Sequence, residues 1–107
     1  MAAKYLTEQG YVVLEKNLFT PYGEIDLIAK EGETLVFTEI KYRKTKGFGD
    51  GLQAVDCRKQ MRISKSALYY YTYHGYEEQR SCRFDVIAIL GDGELTHIKN
   101  AFEYMGG

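Results

Sequence analysis

Three residues carry the strongest chemical signal in the sequence: Asp26 in EIDLIAK (24–30), then Glu39 and Lys41 in TEIKYR (38–43). Both segments alternate like strands, so Asp26 shares a face with Glu24 and Ile28, and Glu39 and Lys41 share one with Leu35, Phe37 and Arg43. If EGET (31–34) closes a hairpin between them, opposed residues sum to 65 and Asp26 falls across from Glu39. Their Cβ atoms then start about 4.5–5.5 Å apart, where like charges repel and a cation is wanted. Two carboxylates suit Mg²⁺ or Mn²⁺, which leave positions open for water and phosphate oxygens. Lys41, about 6.6 Å further along the strand than Glu39, reaches the same space and can orient a water or offset charge on a phosphate. The bland alternative is a solvated half-strand in which Glu24 and Lys41 form a weak cross-strand pair.

These residues need a frame. AAKYLTEQG reads as a helix capped near Gly10, and YVVLEKNL (11–18), EIDLIAK and TLVFTEIKYR (34–43) as an antiparallel meander with turns at TPYG (20–23) and EGET. In EIDLIAK the core set is Ile25, Leu27 and Ala29. The glycine-rich KTKGFGDG (44–51) reads as a loop, followed by a helix capped at Asp56 and ending near His74. On that helix Cys57, Met61, Leu68 and Tyr71 are the expected core stripe, with Arg58, Arg62, Lys65 and Tyr69 on another face. CRFDVIAIL (82–90) reads as a buried strand and LTHIKN (95–100) as a shorter peripheral one. The expectation is an α/β fold in the order α-β-β-β-α-β-β, one domain over residues 1–107.

Composition narrows the class. Hydrophobic residues make up 45% and charged residues 27%, as in a folded globular domain, and the longest apolar run, VIAIL, cannot span a bilayer. No membrane partner is expected. Two cysteines without metal-ligand spacing, Cys57 and Cys82, fit reduced thiols in the cytoplasm. The net charge of -1 hides a basic block: Lys41 to Lys65 holds eight basic residues against two acidic ones. Such a block points to an anionic partner, nucleic acid foremost, through Arg43, Lys44, Lys46, Arg58, Arg62 and Lys65. The tyrosines of ALYYYTYHGY can stack on bases or pack inward, and Tyr71 is assigned to the core. His74 and His97 stand too isolated to be catalytic, and Asp85 beside Arg83 reads as structural.

Taken together, GEIDLIA, VFTEIKYRK, FGDGLQAVDCRKQ, CRFDVIAIL and HIKNAF resemble the bacterial YraN-like family of predicted endonucleases. That family is related to archaeal Holliday-junction resolvases within the PD-(D/E)xK nuclease superfamily. The resemblance runs over nearly the whole chain and implies a restriction-endonuclease-like fold, a mixed central sheet flanked by helices, with a metal-dependent site. By it, Asp26 matches the strand aspartate, preceded here by Ile25 where the superfamily has proline, and Glu39 and Lys41 match the ExK pair. Gln53 and Lys59 match supporting positions. Relatives begin with a longer first helix carrying a further Glu, whereas this sequence reads Met1 directly before AAKYL, so the first helix is expected to be shortened and to lack that carboxylate.

The leading expectation is a Mg²⁺- or Mn²⁺-dependent endonuclease acting on DNA, branched or otherwise structured, with Asp26 and Glu39 holding metal and Lys41 assisting the water. Cutting a junction symmetrically would call for a homodimer. The alternatives are a catalytically inactive nucleic-acid-binding domain of the same fold and a protein-interaction domain whose basic block meets an acidic partner.

Overall fold

The computed structural model describes residues 1–43, 56–74 and 81–104. Seven elements follow in the expected order: α1 (Ala2–Glu8), β1 (Val12–Thr20), β2 (Gly23–Glu31), β3 (Thr34–Arg43), α2 (Cys57–Tyr73), β4 (Cys82–Leu90) and β5 (Leu95–Phe102). The strands form one sheet in the order β1-β2-β3-β4-β5, antiparallel except for β3 and β4, which run parallel because α2 lies in the crossover between them. This is a mixed α/β sheet with helices beside it, consistent with a restriction-endonuclease-like fold. No helix among the described residues is long and apolar enough to cross a membrane.

Local chemistry accounts for the element ends. Gly10 leaves α1 at φ +93°, and the Tyr11 N–H closes back on the Leu6 carbonyl at 2.9 Å. Gly32 supplies φ +60° at the first central position of the β2–β3 turn, a conformation that glycine adopts without strain. Glu31 therefore pairs with Thr34 and Leu27 with Thr38, the register in which opposed residues sum to 65. Asp56 caps α2, its Oδ1 accepting the Lys59 N–H at 2.8 Å.

The sheet is covered on both faces, which is why β3 and β4 read as nearly continuous apolar runs. One cluster joins Ile25, Ile28, Phe37, Phe84 and Val86 to Ile63, Ala67 and Tyr70 of α2. The other joins Leu27, Ala29, Val36 and Ile87 to Leu6 of α1 and to Tyr11. Each fully buried Leu, Ile or Phe contributes about 1.5–3 kcal/mol. Two expectations are corrected. Ile25 packs with Ile28 against α2 and not with Leu27 and Ala29, breaking strict alternation one residue before Asp26. On α2 the buried stripe is Ile63, Ser64, Ser66, Ala67 and Tyr70, while Cys57, Met61 and Leu68 are exposed; Tyr71, partly buried, does pack against the core as expected. The Ile63, Ala67, Tyr70 spacing is as helical as the expected one, and Ser66 fits the tight interface because it is small and bonds Thr20 Oγ1 across it at 2.8 Å.

Candidate functional site

The β2–β3 ladder runs from Glu31–Thr34 to Leu27–Thr38. Past that point Asp26 bridges the strands with its side chain: Oδ2 accepts the Ile40 N–H of β3 at 2.8 Å. This bond fixes the carboxylate at the place where backbone pairing ends and satisfies an amide that would otherwise lose its partner. Asp26, Glu39, Ile40, Gly23 and Glu24 then line one side of a cavity of about 390 Å³, and Lys59, Arg62 and Ile63 of α2 line the other. Asp26 and Glu39 thus line the same cavity, although the direct cross-strand pairing expected of them falls past the end of the ladder. The expected Glu24 to Lys41 pairing is not part of the ladder; Glu24 instead pairs with Phe19 of β1.

Glu39 is the buried charge of this site, 5% exposed. Its position follows from β3, where Leu35 and Phe37 hold the same face in the core and carry Glu39 down with them. Burial pushes its carboxyl above the ordinary range; Lys59 pulls the other way, and the Asp26 charge adds to the rise. Lys59 Nζ lies 2.6 Å from Glu39 Oε1. Burial works against the Lys59 ammonium, but the hydrogen bond to Glu39 together with the Glu39 and Asp26 charges outweighs it and holds its pKa up. Lys41 moves in the opposite direction: burial and the neighbouring Lys59 cation lower it.

The donor set fits a hard divalent cation. Two carboxylates from adjacent strands, one kept from ionising easily by burial and by the other, form a site that additional positive charge would stabilise. Among the described residues no cluster of three or more His, Cys, Asp or Glu side chains is placed to hold a metal, so the remaining positions would fall to water, backbone and substrate.

The other expected residues divide. Lys59 and Arg62 line the cavity, and Arg58 and Lys65 lie exposed on α2. Arg43 ends β3. Gln53, Lys44 and Lys46 lie outside the described residues. The Lys59 to Glu39 ion pair had no signal in the spacing, since it depends on where α2 docks.

A second polar cluster sits apart from this cavity. Asp85, fully buried, accepts from Arg83 Nε at 2.8 Å and Nη2 at 3.0 Å, from His97 Nε2 at 2.7 Å and from the Asn100 N–H at 2.9 Å. Arg83 continues to Glu31 at 2.7 Å and to the Tyr11 hydroxyl at 2.8 Å, and His97 Nδ1 is 3.0 Å from the Tyr5 hydroxyl. Burial opposes the Asp85 charge, but the bonds from His97, Arg83 and Asn100 prevail and hold its pKa below the usual range. As an anion it can only accept, so His97 Nε2 carries a proton. The cluster ties α1, β2, β4 and β5 together, which makes Asp85 the structural group its place beside Arg83 indicated.

The family model described as "Uncharacterised protein family UPF0102" matches residues 1–89. A UPF0102 protein of Lachnoclostridium phytofermentans is 45% identical over 107 residues, covering 98% of this chain and 88% of the relative. A UPF0102 protein of Colwellia psychrerythraea is 42% identical over 105 residues, covering 94% and 81%. One of Thermodesulfovibrio yellowstonii is 45% identical over 102 residues, covering 95% and 88%.

Proposed function

The chain belongs to the uncharacterised protein family UPF0102, and for it we propose metal-dependent hydrolysis of phosphodiester bonds in DNA, in the reducing cytoplasm. The observation that carries this reading is the convergence of Asp26, Glu39 and Lys59 on one cavity, with Lys41 two residues beyond Glu39 on β3. Asp26 and Glu39 are the residues that would hold Mg²⁺ or Mn²⁺, and the ion supplies concentrated positive charge beside the scissile phosphate. Lys41, whose ammonium gives up its proton more readily than a free lysine, takes a proton from the attacking water at Nζ. Lys59 and Arg62 offer cationic donors from α2 to the phosphate oxygens. Neither cysteine is in a disulfide, which fits the compartment.

The experiment is cleavage of four-way and linear duplex DNA with Mg²⁺, Mn²⁺ or chelator, by the parent chain, Asp26→Asn and Lys41→Arg. The expected result is cleavage that needs the metal and falls at least about 100-fold in each variant. Arginine cannot accept the proton, so Lys41→Arg separates proton transfer from mere positive charge. Absence of metal-dependent cleavage by the parent, or full activity in both variants, overturns the reading. The direct Lys59 to Glu39 ion pair favours a second reading, a binding domain without turnover in which Lys59 permanently serves as the cation. Metal titration separates the two, because a binding-only site takes up no Mn²⁺ even with DNA present.

A further inference from the structure

The outer face of α2 carries a feature that the hydrolytic site does not use. The helix holds Arg58, Lys59, Arg62 and Lys65 and no Asp or Glu. Beyond the cations, Tyr69 and Tyr73 continue the same face at helical spacing from Arg62 and Lys65. Tyr73 is 73% exposed and Tyr22, from the β1–β2 turn, 49% exposed.

Tyr22 is held in place. Thr20 Oγ1 accepts the Tyr22 N–H at 3.1 Å and is bonded to Ser66 Oγ of α2 at 2.8 Å, which clamps the turn against the helix. A Cβ on Gly23 would come within 3.8 Å of Arg62 Cβ, so the turn sits close on α2. Lys65 Nζ lies 6.0 Å from the Tyr22 ring centre, Tyr22 meets Tyr69 edge-on at 6.4 Å, and Tyr69 lies 4.5 Å from Tyr73. A hollow of about 360 Å³ runs between Tyr22, Lys65, Tyr69 and Tyr73. It adjoins the carboxylate cavity through consecutive residues, since Gly23 and Arg62 line that cavity.

We infer that this face seats an unpaired segment of the polynucleotide entering the carboxylate cavity, its bases stacked on Tyr22, Tyr69 and Tyr73 and its phosphates beside Arg62 and Lys65. The inference rests on nucleic acid being the ligand of the adjoining site. A cluster of aromatic rings set beside a run of cations offers both a stacking platform for bases and donors for the phosphates of a single strand. A duplex keeps its base faces covered and has nothing to offer exposed tyrosines. From Arg62 to Tyr73 the helix rises about 16 Å, room for a segment of several nucleotides. An acidic polypeptide would match the charge but leave the rings unused.

The test is binding in chelator, with Asp26→Asn as background to prevent turnover. Probes are a 12-nucleotide oligothymidylate, a 12-base-pair duplex and poly-glutamate. The chain has ten tyrosines and no tryptophan, so quenching of its intrinsic fluorescence reports ring stacking directly. The single strand should quench it and bind more tightly than the duplex, and Tyr69→Ala with Tyr73→Ala should weaken single-strand binding about tenfold or more. The paired Tyr→Phe changes keep the ring and should keep the affinity. Tyr73→Ala alone, at an exposed site that leaves folding intact, should give a smaller loss of the same kind. Unchanged single-strand affinity in the alanine variants, an equal loss for the duplex, or poly-glutamate binding as tightly as the single strand overturns the inference. Metal-dependent cleavage without tyrosine-dependent binding defeats only this inference; tyrosine-dependent binding without cleavage defeats only the hydrolytic reading.

Discussion

Lys59 of α2 reaches across the cavity to within 2.6 Å of Glu39 on β3, and yet the Glu39 carboxyl remains harder to ionise than an exposed one. Burial and the Asp26 charge outweigh the lysine. A carboxyl raised in the folded state favours folding at pH below its unfolded pKa, and that contribution is lost as pH rises through the folded value. The variant Glu39→Gln should therefore gain stability over the parent at pH 7 and lose that advantage near pH 4. The gain should lie in the range of about 0.5–2 kcal/mol typical when a strained functional position is relieved. Thermal unfolding of both chains across this pH range checks it, and equal melting temperatures at pH 7 would show that ionising Glu39 costs the fold nothing.

Asp26 has two separable duties. Its Oδ2 holds the Ile40 N–H at 2.8 Å, and its charge faces the cavity. Asn retains an acceptor and loses the charge, so Asp26→Asn should stay folded and bind Mn²⁺ at least about tenfold more weakly, a loss typical of disturbing a metal site. Asp26→Ala also orphans the amide, which costs about 1–3 kcal/mol of stability. Comparing denaturant midpoints with calorimetric Mn²⁺ titrations resolves the two effects.

The frame and the nearness of Asp26 to Glu39 were legible because EGET fixes the register of β2 and β3, and that register carries both carboxylates to the same end of the strand pair. The helix side was less legible. Two stripes on α2, one through Cys57, Met61 and Leu68 and one through Ile63, Ala67 and Tyr70, satisfy the same periodicity, and only docking on the sheet chooses between them. That choice also decides which cations face the carboxylates, so Lys59 could be tied to the site by resemblance and not by spacing. Ile25 misled for a related reason: β2 departs from strict alternation where its pairing with β3 ends, and period-two reasoning assumes an unbroken ladder.

Thr38 offers a test of the sheet beneath the site. It is 1% exposed, flanked by Leu27 and Asp85 on the neighbouring strands, and its Oγ1 has no hydrogen-bond partner among the described residues. Val has the same shape with a methyl in place of the hydroxyl, so Thr38→Val removes an unsatisfied polar atom without opening a cavity. It should be neutral or stabilising by up to about 1–3 kcal/mol. A clear loss of stability on denaturant titration would mean that the hydroxyl does bond in solution.

Asp85 should set the acid limit of the fold. Its pKa is held low because, against burial, it accepts from His97, Arg83 and Asn100 at once. A carboxyl depressed in the folded state contributes stability above its unfolded pKa, and this is lost as pH falls through the folded value. Asp85→Asn leaves the Arg83 guanidinium, with 18% of its side chain exposed, without its buried counter-charge, and breaking such a pair costs about 3–5 kcal/mol. The loss should be full at pH 7 and shrink in strong acid, where the parent's own carboxyl is protonated. It should also reach α1 and β5 together, because Tyr5 and Asn100 hang on the same cluster through His97 and the Asp85 carboxylate. Hydrogen exchange measured on the variant distinguishes this from local loosening: faster exchange confined to β4 would show that the cluster does not couple the elements it touches.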